Sequence, residues 1–340
     1  MGLKECIMPN HEYAVIRTWA RWFFGVMILP LGLIGGCEGS GPSDTDPDII
    51  PSNTSIQSFV YQLQNVDLDA LGKTRFDLVV MDYSRDGSDA EQFTAAEISA
   101  LQNSSGGAKK VLAYMSIGEA ETYRWYWNPA WDVNEDGQPD SGAPAWLGPS
   151  NPDWPGNYKV RYWDSQWQTI VFGSATSYLD RIIDAGFDGV YLDIIDAFEY
   201  WGPDGSSGLN RASAPQEMVD LVKAIAQYAR VTRGRPDFMV FPQNGEALAA
   251  YPDYVQTVTG VGKEDTWYLD NDLQSASETA EVLENLDIFR DAGKTILVID
   301  YVTQAALIDA FYTKAADRGY IPYATGRNLD ALTINPGHEP

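Results

Sequence analysis

From Ser58 onward the chain alternates short apolar runs with amphipathic stretches, and the alternation continues to about Leu332. The apolar runs fall at residues 59–63, 76–83, 110–117, 190–195, 238–241, 258–262, 295–301 and 320–324. They are rich in Val, Ile and aromatic residues, as expected of strands covered on both faces. Between them, Thr94-x-x-Glu97, Ser213-x-x-Gln216 and Ser275-x-x-Glu278 have the form of capping boxes. They predict helices running through Leu101, Thr232 and Ala292, and residues 166–185 read as a further helix closed by Gly186. Eight strands alternating with helices, without a break in composition, predict an α/β protein: a single (β/α)8 TIM barrel over residues 58–332, followed by a C-terminal tail at 333–340. A doubly wound sheet is the alternative, but the Gly-rich phosphate turn expected after its first strand is missing.

The start of the chain follows different rules. Arg17 and Arg21 precede an apolar run from Trp22 to Leu33, and Ile34-Gly35-Gly36-Cys37 has the form of a bacterial lipobox. Residues 1–36 therefore read as a lipoprotein signal peptide with Cys37 as the lipidated residue, an uncleaved anchor being the other reading. Residues 37–57, mostly Gly, Ser, Pro, Asp and Asn, read as a flexible tether. The expected location is extracytoplasmic, on a bacterial cell-envelope membrane through the lipid.

The whole chain carries a formal net charge of −25. Loss of the leader removes three basic and two acidic residues, leaving 20 Lys/Arg against 46 Asp/Glu, a net charge of −26. Nucleic acid is thus a poor partner, while a cationic ligand would be attracted. A monomer is expected. Histidine occurs only at His11 and His338, which removes Ser-His-Asp triads, Cys-His pairs and His-ligated zinc from consideration in the body of the protein. Any acid–base chemistry falls to carboxylates, helped by Tyr or Lys.

Acids and amides gather after the predicted strand ends: Asp82, Glu119, Asp193 with Asp196, Gln243-Asn244, Glu264, and Asp300 with Tyr301. In a barrel these ends share one mouth. An Asp closing an apolar strand, as Asp193 does in the stretch from Asp184 to Trp201, is costly unless a ligand or a reaction uses it. The insertion after the third strand, residues 122–164, adds aromatic rings: Trp125, Trp127, Trp131, Trp146 and Trp154 cannot all enter a barrel core. Some are expected to form a sugar-binding platform beside the mouth, others to pack the loop onto the barrel. Within the insertion, Asp132-x-Asn134-x-Asp136-Gly137-x-x-Asp140 has the oxygen spacing of a calcium loop. It lacks the bidentate Glu, so a weak calcium site and a solvated Asx-turn are both open readings, and no other cofactor or metal is expected.

The stretches 113–124, 160–164, 186–196 and 260–266 resemble glycoside hydrolase family 114, the endo-α-1,4-polygalactosaminidases. The resemblance implies a TIM barrel with a retaining pair of carboxylates, the strand-four Asp as nucleophile and the strand-six Glu as acid/base. These fall on Asp193 and Glu264. Where the family has Lys-Asn after strand five, this chain has Gln243-Asn244. The resemblance further implies a galactosamine-type, partly cationic polysaccharide as substrate. Asp82, Tyr114, Glu119, Asp196, Trp201, Asn244, Asp300 and Tyr301 are expected to hold its hydroxyls or amines. The two carboxyl groups should then stand about 5–5.5 Å apart. The alternative function is a non-catalytic envelope protein that binds glycan on the same platform.

Overall fold

The computed structural model describes residues 56–340. The expected signal peptide, Cys37 and nearly all of the expected tether lie outside the described residues.

Eight parallel strands follow the predicted runs: β1 (Phe59–Tyr61), β2 (Leu78–Met81), β3 (Lys110–Ser116), β4 (Gly189–Asp193), β5 (Met239–Pro242), β6 (Gly260–Glu264), β7 (Thr295–Asp300) and β8 (Ile321–Ala324). β1 through β5 pair in sequence, and β6, β7 and β8 do the same. The two ladders meet at a parallel bridge between Gln243 and Gly262. β8 returns to β1 through packing: the Phe59 and Tyr323 rings lie 5.6 Å apart, and Leu63 and Gln64 donate backbone bonds to Leu329. The result is a (β/α)8 barrel whose strands are buried nearly throughout, because each has helices outside and side chains inside.

Local chemistry sets the helices. Thr94 and Glu97 form the predicted capping box of Ala95–Gln102, and the Ser275 hydroxyl caps Ala276–Asp291. Ser213 does not cap Ala214–Gln227. Its backbone is already helical, and Pro215 supplies no N–H to be capped. The helix expected over 166–185 is two, Ser165–Val171 and Tyr178–Asp184. Phe172 turns extended and Gly173 takes φ +97°, a left-handed conformation that ends the first helix.

The insertion folds on an antiparallel sheet of Glu119–Glu121, Asn157–Val160 and Leu147–Ser150. Its aromatic residues mostly pack the loop onto the barrel: Trp146 and Trp167 are buried, and the rings of Trp127, Trp131, Trp146 and Trp167 meet edge to face or tilted in an unbroken chain. Of the expected platform, Trp154 stands exposed. The 132–140 loop turns its oxygens inward: Asp132 accepts from the amides of Asp136 and Gly137 and from the Tyr158 hydroxyl, and Asp140 accepts from Val133. Among the described residues no group of three or more His, Cys, Asp or Glu is arranged to hold a metal. The last residues are anchored, with Asn335 bonded to Ala324 at 2.8 Å and His338 stacked on Tyr312.

Candidate active site

Because side chains alternate along a strand, Tyr191 and Asp193 project to the same side of β4, as do Gly262 and Glu264 on β6. Tyr191 packs against Tyr61 with ring centroids 5.2 Å apart, forming an aromatic floor beneath the acids. A Cβ at Gly262 would lie 1.9 Å from the Tyr191 hydroxyl, so the glycine is what leaves room for that ring.

Asp193 and Glu264 come together above this floor, each partly open to solvent. The Asp193 Oδ1 accepts from the Ile194 amide at 2.8 Å and from Gln243 Nε2 at 2.9 Å. Its Oδ2 accepts from the Tyr114 hydroxyl at 2.6 Å. Glu264 Oε2 accepts from the same Gln243 nitrogen at 2.8 Å and from Asn244 Nδ2 at 3.0 Å, while Oε1 accepts from the Tyr301 hydroxyl. Two oxygens bonded to one nitrogen at 2.9 and 2.8 Å cannot be more than 5.7 Å apart. That bound on their nearest oxygens leaves room for the retaining separation of about 5–5.5 Å.

Their electrostatics follow from depth. Burial, then the neighbouring Glu264, raises Asp193 above the usual carboxylate range. Glu264 is raised as well, first by burial, against the pull of the Tyr301 and Asn244 hydrogen bonds. Two raised carboxyl groups sharing a donor titrate as a coupled pair and not as two independent acids. Burial, followed by the adjacent acid, drives Tyr114 and Tyr301 well above the ordinary tyrosine range, so both remain protonated donors.

The backbone marks the same place. Ile194, Asn244 and Asp265 each follow a site residue at the end of β4, β5 or β6, and all three have positive φ, at 58°, 60° and 51°. For the β-branched Ile194 this is a strained conformation, of the kind tolerated where surrounding structure holds a functional group in place. Gln243, Asn244 and the left-handed turns thus fix both acids from the strand between them.

The other expected binding residues divide. Glu119 is buried beside the mouth, its Oε1 held by Asn151 at 3.0 Å and Lys159 at 3.1 Å and its Oε2 without a hydrogen-bond partner. Burial raises its pKa, partly offset by Lys159, and the Asp196 charge adds to the rise. Asp82 is instead committed to the protein: Arg124 binds it through two nitrogens at 2.9 and 2.7 Å and reaches Glu121 at 2.6 Å. Asp300 accepts from the amides of Thr266, Trp267 and Tyr268 and so pins the loop after β6, while burial pushes it up to about 7. Trp201 is buried, its indole donating to Val160 at 2.9 Å, and it supports Tyr200 with ring centroids 4.7 Å apart. Lys159 and Arg327 have no sequence signal of their own. Lys159 sits directly opposite Glu119 in the insertion sheet, and Arg327 lies over the Tyr301 ring while pairing with Asp265.

Comparison with known proteins places the chain in a family. The chain matches the glycoside hydrolase family GH114 over residues 42–339. A Thermotoga maritima protein is 37% identical over 327 residues, covering 93% of each chain. A Methanocaldococcus jannaschii protein is 38% identical over 286 residues, covering 81% of this chain and 77% of the other. Among solved structures, the glycoside hydrolase domain of PelA from Pseudomonas aeruginosa superposes with a TM-score of 0.57 at 18% identity, over 83% of this chain and 98% of that one. Aspergillus fumigatus Ega3 in complex with galactosamine gives 0.56 at 18% identity, over 87% and 98%. At this identity the likeness to the two structures is one of fold.

Proposed function

The chain belongs to glycoside hydrolase family GH114 and is a glycoside hydrolase, and from that premise we propose that it cleaves an α-linked, galactosamine-type polysaccharide with retention of configuration. Asp193 attacks the anomeric carbon, and Glu264 protonates the leaving oxygen and then activates the water that releases the product. The observation that carries this reading is the single Gln243 nitrogen bonded to both carboxylates, which keeps them within nucleophile-to-acid distance. The raised pair supports it too, because one proton shared between two carboxyl groups gives one ionised and one protonated partner in the same site.

The choice of an amino sugar rests on two points. The solved Ega3 structure contains galactosamine. The chain is strongly acidic, with a net charge of −26 after loss of the leader, and would concentrate a partly deacetylated, cationic glycan. In this reading Glu119, Asp196, Asn244 and the hydroxyls of Tyr114 and Tyr301 meet the amines and hydroxyls of the substrate. Attachment of the barrel to the cell envelope through a lipid on Cys37 completes the proposal, the short polar segment before Ser58 serving as tether. Incubation with partly deacetylated α-1,4-galactosaminoglycan, followed by mass spectrometry of the products, tests the substrate assignment. Release of hexosamine oligomers is expected, and their absence alongside cleavage of an uncharged glycan would reject it.

A further inference from the structure

Gln243 is 3% exposed and sits on the one strand that separates the two catalytic strands. Its backbone is fixed on both sides, donating to Leu192 of β4 at 2.7 Å and bridged to Gly262 of β6. An amide nitrogen carries two hydrogens that diverge by about 120°. With one bond of 2.9 Å to Asp193 and another of 2.8 Å to Glu264, that divergence places the two acceptor oxygens about 5 Å apart. The amide oxygen, Oε1, is buried without a hydrogen-bond partner among the described residues. Turning the amide over would aim that oxygen at two carboxyl groups, an arrangement that only a doubly protonated pair could satisfy.

Among the described residues no cation stands between the acids. Asp193 is faced by Tyr114 from β3, Tyr61 from β1, Tyr191 from its own strand, and the carboxylates of Glu264 and Asp196. Glu264 is faced by Tyr301 from β7, Asn244 from β5, and its chain neighbours Lys263 and Asp265. Lys263 is drawn away to Asn244 and Glu246, each at 3.4 Å, and Asp265 is paired with Arg327.

We propose that Gln243 is a positioning residue for the hydrolysis: the two hydrogens of one neutral amide set the separation of Asp193 and Glu264 and keep a single proton shared between them. The inference rests on the assignment of these two acids as the catalytic pair. A neutral bridge favours ionisation of either acid through its hydrogen bond, and a cation at the same position would favour it more strongly and lower both midpoints.

The test compares wild type with Gln243→Met, which keeps the volume and loses both donors, and with Gln243→Lys, which puts a cation between the acids. The primary readout is infrared titration of the carboxyl band, taken as the difference from Asp193→Asn in each background. It needs no substrate and so stands whichever glycan is cleaved. The midpoints should rise by about one pH unit in Gln243→Met and fall by about one unit in Gln243→Lys. With partly deacetylated galactosaminoglycan as probe, both limbs of the kcat/KM profile should move in the same two directions, and in Gln243→Met kcat should fall at least tenfold while KM stays within about threefold. Midpoints unchanged from wild type in both variants, or displaced in the same direction, would overturn the proposal. If Gln243→Met does not fold, the sign of the Gln243→Lys shift decides alone.

Discussion

Asp193 and Glu264 are near mirror images about the strand that separates them. Each turns one oxygen to a tyrosine hydroxyl, Tyr114 or Tyr301, and the other to N–H donors that include the shared Gln243 nitrogen. A hydroxyl accepts as well as donates, whereas an N–H only donates. In either acid, the proton of the neutral form therefore belongs on the oxygen that faces the tyrosine. Either acid can thus hold or release its proton without losing a hydrogen bond.

Asp193→Asn and Glu264→Gln should each lower kcat by about 10³-fold or more, with the fold intact by circular dichroism. Each replacement is isosteric and keeps an acceptor for Gln243, so loss of activity reports the carboxyl group and not a collapsed site. Full activity in both variants would remove the pair from the mechanism.

Tyr114→Phe and Tyr301→Phe each delete one hydrogen bond to a charged oxygen. A loss of about 1.5–3 kcal/mol of stabilisation is expected, or roughly ten- to a hundredfold in kcat/KM. Each bond also holds its acid down against burial, so its loss should move the kcat/KM profile to higher pH. A profile unmoved in both variants would contradict these hydroxyls as donors to the ionised acids.

The pair also costs the fold stability at neutral pH. Asp193 and Glu264 are both raised in the folded protein by burial, so each favours the folded state while protonated and opposes it once ionised. Their contribution is thus fully present below the unfolded carboxylate pKa and is lost as pH rises through the raised folded values. Asp193→Asn removes one ionisable member and should stabilise the protein at pH 8 by about 1–2 kcal/mol. The gain should vanish near pH 4, where the wild-type pair is protonated. Urea unfolding at the two pH values checks the sign.

Beyond the site, Arg124 is held by Asp82 and Glu121, with its guanidinium beside the rings of Tyr83, Tyr123 and Tyr178. Arg124→Met leaves two buried acids without their partner and should cost about 3–5 kcal/mol. Chemical denaturation measures this directly. Replacing Asp82 and Glu121 by Asn and Gln in the same chain should restore part of the loss.

How much of this was legible in the sequence depended on distance along the chain. The barrel strands were readable because strands buried on both faces must be continuously apolar, and an acid ending such a run, Asp193, stood out against it. Glu264 was likewise visible at the end of its strand. Asp82 and Asp300 showed the same signal and proved to be held within the protein, since an acid looks alike whether its partner is a ligand, an Arg124 that lies 42 residues onward, or three amides of a neighbouring loop. The tryptophans left both readings open for a related reason: the antiparallel sheet of the insertion gives most of them a place to pack, and its register is not written in local periodicity. Gln243 carries no charge, and only the meeting of β4, β5 and β6 reveals that its amide touches both acids.

The account turns on retention of configuration, and the anomer released first reports it most directly. Proton NMR of the anomeric signals during hydrolysis of a partly deacetylated α-1,4-galactosamine oligomer should show the α-anomer first, with the β-anomer growing only by mutarotation. Initial release of the β-anomer would contradict the assignment of Asp193 as nucleophile and require a water between the two acids.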